Sequence, residues 1–389
     1  MLDGMRLWMN KRVVLLASVL LAACATQTPL PSVEPLLHDE LFAAPSEHIS
    51  ASDVFAPSEE MKHFLHVEIV APLRNIGARQ ALVNALYNKN QLKLEYDSEI
   101  TRNAAEAFAA RSGNCLSLVI MTAALAKELG LPLQYQASVA VDDALGRSGD
   151  IYFFVGHVNV TLGKGAFARR GTDDLVTIDF LPPEDVAGVR MKTIGEETIV
   201  AMYMNNRAAE SLTLGQIDEA YWWARAAVLE DPRFLSALNT LGIIYRHHGN
   251  PAEAEKVLRV ALAREPDNTR IMSNLIPVLN DLGRVDEAKA LAQTLARLEP
   301  NPPFSFYERG LKALSVGDFR TARDLFAREV DRSPYYSEFH FWLGIAYVGL
   351  GETDKARREL SSAVEYSTTR KEHDLYASKL DRIKSIRLQ

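Results

Sequence analysis

Hydrophobic and polar positions alternate in two different ways along the chain. Before about residue 190, apolar runs of unequal length are separated by polar loops. One of these runs, residues 115–129, has the length of a helix, and Gly130 and Pro132 are residues that typically end helices. Shorter runs rich in β-branched and aromatic residues predict three strands, at 133–140, 151–162 and 175–180. Together they predict an α+β domain over residues 58–190.

After this domain the pattern becomes a repeat of amphipathic helices with a period of 34 residues. The repeated positions are glycine at 215, 249, 283, 317 and 351, alanine at 220, 254, 288, 322 and 356, and proline at 232, 266, 300 and 334. This period resembles the tetratricopeptide repeat, which is built from two helices. We expect Gly242 to let the two helices of residues 235–268 approach closely against Leu258. The sequence therefore predicts five repeats over 198–370, an all-α solenoid, and a C-terminal capping helix over 371–389.

Residues 1–24 have the pattern of an export signal. Two basic residues precede an apolar run, residues 13–21, that is too short to span a bilayer as a stable helix. The run leads to Leu-Ala-Ala-Cys, which resembles the lipobox of bacterial lipoproteins. The resemblance implies cleavage before Cys24, lipidation of Cys24 and, because Ala25 follows, an outer-membrane location facing the periplasm. An ordinary signal peptide with an incidental cysteine is the alternative.

Composition and charge narrow the range of partners. The chain has 389 residues and a formal net charge of −7, so a nucleic-acid partner is not expected. Residues 25–57 are rich in proline, serine and alanine and predict a flexible tether. No glycine-rich nucleotide-binding loop precedes a helix. His63 and His66 lack a nearby third ligand for a metal, so neither a cofactor nor a metal ion is expected.

Cys115 is the candidate nucleophile. It follows Gly113-Asn114 and begins the predicted helix, where free N–H groups and the helix dipole favour a thiolate. If Cys24 is lipidated, Cys115 has no partner left for a disulfide, because the chain has only these two cysteines. The alternative is a small buried hydrophobic residue, which is how a free cysteine usually behaves.

His157 and Asp179 are the candidate partners of Cys115. They lie on the second and third predicted strands, and adjacent antiparallel strands can place two such side chains next to each other. A helix packed on this sheet could present the thiol to the imidazole. Thiol, imidazole and carboxylate are the groups that an activated cysteine nucleophile requires. Considered alone, each residue has a structural alternative: His157 as a histidine of the core and Asp179 as an aspartate of a turn.

Three motifs together resemble the transglutaminase-like superfamily, whose core is related to papain-like cysteine peptidases. They are Gly-Asn-Cys-Leu-Ser at the helix start, Gly-His-Val-Asn-Val on one strand and Ile-Asp-Phe on the next. The resemblance covers about residues 50–190 and implies a transglutaminase-like (papain-like) α+β fold. It implies Cys115 as nucleophile, His157 as general base and acid, and Asp179 as the orienting carboxylate.

The resemblance implies chemistry at amide or peptide bonds through a thioester. Hydrolysis is slightly favoured over transfer to an amine, since water is abundant and no amine site is visible; cleavage of cell-wall peptides would use the same chemistry. The alternative is a non-catalytic binding or assembly lipoprotein with a vestigial triad. The backbone N–H of Cys115 is one candidate oxyanion donor, and Gln134 and Gln136 are candidate side-chain donors.

The predicted repeats are expected to bind a protein or peptide in their groove. Asn206 and Asn274 occupy corresponding positions in their repeats, from which they could hydrogen-bond a peptide backbone. Solvated surface is the alternative for both. The Lys/Asn set of a carboxylate clamp is absent from the sequence, so recognition of a peptide C-terminus is not expected. The sequence indicates no oligomeric state.

Cys24→Ser is expected to release the protein from membranes, because it removes the thiol to which lipid chains would attach. The measurement is fractionation after detergent-free lysis, with Cys115→Ser as the control that keeps the anchor. A Cys24→Ser protein that still sediments with membranes would contradict the lipoprotein prediction.

Overall fold

A computed structural model of the chain describes residues 32–69, 76–87, 92, 94–97, 100–138, 145–148, 151–154, 157–163, 175–181, 190–367 and 369–386. The predicted signal peptide, with Cys24, lies outside the described residues. The chain divides into two compact units, Met1–Pro35 and Leu36–Gln389, and the second contains all the elements described below. Among the described residues, no helix combines the length and the apolar composition that crossing a bilayer demands.

Five described α-helices precede the repeats. They are α1 Ala51–Val54, α2 Glu59–Phe64, α3 Ala78–Tyr87, α4 Ala104–Ala110 and α5 Cys115–Glu128. Asparagines mark the starts of the last two: Asn103 forms a capping box with Glu106 before α4, and Asn114 caps α5. In α5, every residue from Cys115 to Ala126 is buried. This helix therefore lies in the core, as its apolar pattern predicted.

The described strands form three small sheets. They are β1 Glu95–Tyr96, β2 Ser112–Gly113, β3 Leu133–Ser138, β4 Leu145–Ser148, β5 Ile151–Phe154, β6 Val158–Leu162, β7 Val176–Ile178 and β8 Met191–Ile194. The largest sheet is antiparallel, in the order β7-β6-β3-β8. Its register aligns Tyr135, Val160 and Ile178, so these buried side chains share one face. Since α5 packs against β3 and β6, helix and sheet form one core.

Two features of the sheets differ from the sequence prediction. The strand predicted over 151–162 is two strands, β5 and β6, and β4 lies in what was predicted to be a loop. Only Gly-Asp separates β4 from β5 in the sequence, which is the length and composition of a tight hairpin connection. β8 lies beyond the predicted domain limit at residue 190 and pairs with β3. β8 lies at the edge of the sheet, and its residues, Met-Lys-Thr-Ile, do not alternate between apolar and polar, which conceals the strand in the sequence.

Five helix pairs and a final helix make up the rest of the chain. They are α6 Glu196–Thr213, α7 Ile217–Glu230, α8 Leu235–His247, α9 Pro251–Arg264, α10 Thr269–Asp281, α11 Val285–Leu298, α12 Ser305–Ser315, α13 Phe319–Arg332, α14 Ser337–Gly349, α15 Thr353–Glu365 and α16 Arg370–Ile386. The pairs confirm the repeats predicted from the sequence period, and α16 lies where the capping helix was predicted.

Glycines shape these pairs in two ways. The turn glycines of the five repeats have φ between 73° and 89°, a left-handed conformation that favours glycine. Gly242 acts instead through its lack of a side chain, because a Cβ there would lie 2.6 Å from Cγ of Leu258. The two helices of this repeat therefore approach closely, as predicted.

Residues 36–48 are docked against the first two repeats, which differs from the flexible tether predicted for 25–57. Phe42 stacks on Tyr221 with ring centroids 3.9 Å apart. Asp39 accepts hydrogen bonds from the hydroxyl of Tyr221 (2.6 Å) and from Nε of Arg225 (2.7 Å). The composition of the segment lacks hydrophobic periodicity, so the pattern could not reveal the docking.

Gly249→Val is expected to lower the free energy of unfolding by about 1–3 kcal/mol, because a β-branched residue is strained at a φ of 89°. Space does not limit the site, since an added Cβ meets no atom within 4 Å. Gly249→Asn, which tolerates the left-handed region better, is the matched control, and Arg259→Lys is the surface control. Equal melting temperatures for Gly249→Val and Arg259→Lys would show that this turn is not strained.

Candidate functional site

Asn114 fixes Cys115 at the first position of α5. Oδ1 of Asn114 accepts hydrogen bonds from the backbone N–H (2.9 Å) and the hydroxyl (2.8 Å) of Ser117, which is the geometry of a helix N-cap. Cys115 is a free cysteine and only 3% exposed. The thiol therefore lies at the positive end of a buried helix, as predicted.

The strand register brings His157 and Asp179 together. His157 immediately precedes β6, and Asp179 immediately follows β7. The register that pairs Val160 with Ile178 places Asp179 opposite Asn159, on the face of the sheet that His157 shares. Nε2 of His157 lies 2.8 Å from Oδ2 of Asp179. The structure thus joins the two side chains that the sequence assigned to neighbouring strands.

Asn159 also belongs to this site, although the sequence analysis gave it no role. Its Nδ2 donates to Oδ2 of Asp179 at 3.2 Å, and the backbone N–H of Leu181 donates to Oδ1 at 3.0 Å. Burial raises the pKa of the Asp179 carboxyl, but hydrogen bonds from His157, Leu181 and Asn159 outweigh burial and hold the pKa below its usual value. Asp179 is therefore ionised at neutral pH. The signal in the sequence was the two-residue spacing of His157 and Asn159.

The ionised Asp179 decides which nitrogen of His157 faces the thiol. A carboxylate only accepts hydrogen bonds, so Nε2 carries a proton and Nδ1 is left to exchange a proton with Cys115. Nδ1 is buried and has no hydrogen-bond partner among the described residues. Catalytic hydrogen bonds commonly tighten only when substrate is bound.

The pKa of His157 is raised despite its burial. Burial lowers the pKa of the ring, but Asp179 and the Cys115 thiol outweigh it and raise the pKa from 6.5 to about 10. A raised pKa contributes stability that is fully present below pH 6.5 and is lost as the pH rises through about 10. At neutral pH the imidazole is therefore charged.

Tyr96 is a second residue of the site that the sequence analysis left without a role. β1 pairs Tyr96 with Gly113, two residues before Cys115, and its hydroxyl lies at the backbone N–H of Cys115. The residue is 37% exposed, but burial of its hydroxyl end and the charge of the Cys115 side chain raise the pKa of Tyr96 far above its usual value. The hydroxyl therefore stays neutral. A two-residue strand has no periodicity that a sequence could reveal.

Thr101 connects the loop before Cys115 to the first repeat. Its buried hydroxyl accepts hydrogen bonds from Nδ2 of Asn114 (2.9 Å) and from Nδ2 of Asn206 (3.2 Å). Its backbone N–H donates to Oε1 of Glu210 at 2.7 Å. Asn206 and Glu210 both lie on α6. The Asn206 amide thus bonds inside the protein, which corrects the expectation that it could hydrogen-bond a bound peptide.

The remaining sequence candidates have other surroundings. Asn274 donates to Asn239 at 2.9 Å, and Gln134 donates to Thr193 of β8 at 3.1 Å. Gln136 pairs in register with Asn159 and so shares the face of the sheet that carries Asp179. Within the described ranges, no cluster of three or more His, Cys, Asp or Glu residues could hold a metal ion.

Comparison with family models identifies the repeats. Two tetratricopeptide repeat models match the chain, one over residues 197–305 and the other over residues 307–368. The helical part of the chain is therefore a tetratricopeptide solenoid, as its period predicted. Repeats of this kind present extended surfaces that generally bind proteins or peptides.

Several solved structures resemble this chain. MamA is 22% identical, over 44% of this chain and 93% of that protein, with a TM-score of 0.25. A thermophilic TPR protein of Thermus thermophilus is 20% identical, over 46% of this chain and 98% of that protein, with a TM-score of 0.30. PilF of Pseudomonas aeruginosa is 19% identical, over 48% of this chain and 85% of that protein, with a TM-score of 0.30. The chain matches no curated protein.

Thr101→Val is expected to lower the free energy of unfolding by about 1–3 kcal/mol, because valine keeps the volume but leaves the buried amide of Asn114 and the half-buried amide of Asn206 without their acceptor. Thr101→Ser keeps the hydroxyl and is the matched control. Denaturant midpoints measure the difference, and the alkylation rate of Cys115 reports whether the helix start has moved. A Thr101→Val protein as stable as Thr101→Ser would contradict the role of this hydroxyl.

Proposed function

We propose that this protein is a membrane-anchored lipoprotein enzyme whose transglutaminase-like domain attacks amide or peptide bonds through Cys115. The observation that carries the proposal is the 2.8 Å contact between His157 and Asp179, with Cys115 at the start of the helix that packs on the same sheet. These groups come from a helix start and two strand ends. An activated cysteine nucleophile needs a thiol, an imidazole and a carboxylate brought together in this way.

The starting state of the proposed reaction is a thiolate–imidazolium pair. The pKa of His157, raised to about 10, keeps the imidazole charged at neutral pH, and Cys115 lies at the positive end of α5. The thiolate attacks the carbonyl carbon, and the C–N bond breaks as His157 gives its proton to the leaving amine, which leaves a thioester on Cys115. Water, deprotonated by His157, then attacks the thioester and releases the acid and the thiolate. An amine in place of water would give acyl transfer.

The surrounding residues would orient these steps. Asp179 holds the proton on Nε2 of His157 and stabilises the charged ring, and Asn159 holds the carboxylate in place. The neutral hydroxyl of Tyr96 and the backbone N–H of Cys115 lie together beside the nucleophile. They are the candidate donors to the oxyanion that forms when the carbonyl is attacked.

The tetratricopeptide solenoid would bring a protein substrate or partner to this site. Its first helix, α6, hydrogen-bonds Thr101 and thereby the cap of α5. A partner held by the repeats would thus be attached to the element that positions the thiol. Lipidation of Cys24 would keep the whole protein in the cell envelope, at the outer membrane facing the periplasm.

Alkylation of Cys115 at low pH tests the proposal. An unpaired cysteine, with an ordinary pKa of about 8.5, is almost entirely protonated at pH 6 and reacts slowly. Iodoacetamide is therefore expected to alkylate wild-type Cys115 at pH 6 at least about tenfold faster than the His157→Ala variant, with Asp179→Asn in between. At pH 10 the difference should largely disappear, because an unpaired thiol is then ionised as well.

Circular dichroism of each variant serves as the folding control, and Cys115→Ser should give no adduct. Equal alkylation rates for wild type and His157→Ala at pH 6 would show that no ion pair forms. The chain would then be better explained as a non-catalytic protein-binding lipoprotein with a vestigial triad.

A further inference from the structure

The segment that docks on the first two repeats has the contacts of a bound peptide. It contains a single 3₁₀ turn, Asp39–Leu41, and Phe42 leaves this turn with extended backbone. The surface beneath it belongs to α7 and α8, and we call it the docking edge. Its contacting residues are Asp218, Glu219, Tyr221, Trp222, Arg225, Tyr245 and His248.

Side chains of the docking edge hydrogen-bond the backbone of the segment. The Tyr245 hydroxyl donates to the carbonyl of Leu36 at 2.9 Å and accepts from the N–H of His38 at 3.0 Å. The indole of Trp222 donates to the carbonyl of Ala43 at 2.5 Å. Contacts of this type hold any peptide backbone in place and contribute affinity without reading the sequence.

Two side chains of the segment, Asp39 and Phe42, are recognised by the docking edge, while Glu47 accepts from Arg207 of α6 at 3.2 Å. Phe42 is 8% exposed, since its ring stacks on Tyr221 and lies 4.4 Å from the ring of His248. Asp39 accepts from both Tyr221 and Arg225, a charge-assisted pair with Nε of Arg225 at 2.7 Å. The segment therefore places an acidic side chain against Arg225 and, three residues later, an aromatic ring against the rings of Tyr221 and His248.

We propose that the docking edge is a peptide-recognition site for an aspartate followed three residues later by an aromatic residue. Residues 36–48 are its resident ligand, and a partner protein that carries the same pair binds by displacing them. The proposal does not depend on the cysteine chemistry, because none of these residues belongs to the candidate active site. It assigns to the first two repeats a binding surface on α7 and α8.

Peptide binding to the full chain tests the proposal. The Cys24→Ser chain is the soluble recipient, and the probe is a fluorescein-labelled peptide of residues 34–48. A recipient that also carries Asp39→Ala and Phe42→Ala should hold its own residues 36–48 more weakly and leave the docking edge free for the probe. We call it the vacated chain. We expect the probe to bind this vacated chain at least about tenfold more tightly than the unaltered chain, where the tethered segment competes at a millimolar effective concentration.

Two matched controls distinguish recognition of Asp39 and Phe42 from non-specific binding of the probe. A probe carrying alanine in place of Asp39 and Phe42 should bind the vacated chain at least about tenfold more weakly, and Arg225→Ala in the vacated chain should weaken the normal probe. Arg225 is partly exposed, so this substitution does not open the core. The backbone N–H of Ala43 donates to Oδ1 of Asp218 at 3.0 Å, so hydrogen exchange should show this amide protected in the unaltered chain and released in the vacated chain.

Absence of probe binding to the vacated chain would overturn the proposal, as would equal binding of the normal and alanine probes. Rapid exchange of the Ala43 amide in the unaltered chain would also overturn it, since the resident ligand would then not be bound. Alkylation of Cys115 should be the same in the unaltered and vacated chains, so a failure here is distinguishable from a failure of the proposed enzyme.

Discussion

A single buried hydroxyl, that of Thr101, links the parts of this protein on which the candidate chemistry depends. It accepts from the asparagine that caps α5 and from an asparagine on the first repeat helix. Asn114 uses its other side-chain atom to cap the helix at Ser117. Because buried donors without acceptors are costly, neither neighbour can shift independently of the other. The position of Cys115 is therefore set partly by a helix that belongs to the solenoid.

The sheet register positions His157 and Asp179, as Thr101 and Asn114 position Cys115. β6 and β7 are short, but their antiparallel pairing places His157, Asn159 and Asp179 on one face of the sheet. The carboxylate is held by backbone and amide donors, so it remains charged, and its charge keeps the imidazole protonated. The pairing of β6 and β7 thus controls the protonation state of the His157 imidazole through the Asp179 carboxylate.

The sequence predicted the features that depend on period or on local caps. The repeats follow from positions of glycine, alanine and proline, and the start of α5 follows from Asn114 and the apolar run behind it. His157 and Asp179 could be paired because each lies on a recognisable strand. Tyr96, Thr101 and the docked Phe42 could not be found, since each acts through long-range contacts in a segment without periodicity. The bond between Asn206 and Thr101 was hidden for the same reason: a polar residue on a helix does not reveal which neighbour it contacts.

The bond between α6 and Thr101 also bears on how such a protein can change over evolutionary time. Solenoids commonly gain or lose repeats, because each unit contacts only its neighbours. Here the third and later repeats keep that freedom, whereas the first two do not. Helix α6 of the first repeat supplies Glu196 to Lys127 and Tyr135, and Asn206 and Glu210 to Thr101. The second repeat holds residues 36–48 through Tyr245 and His248. Duplication or loss should therefore be tolerated toward the C-terminus, while the junction with the α+β domain is inherited as a single piece.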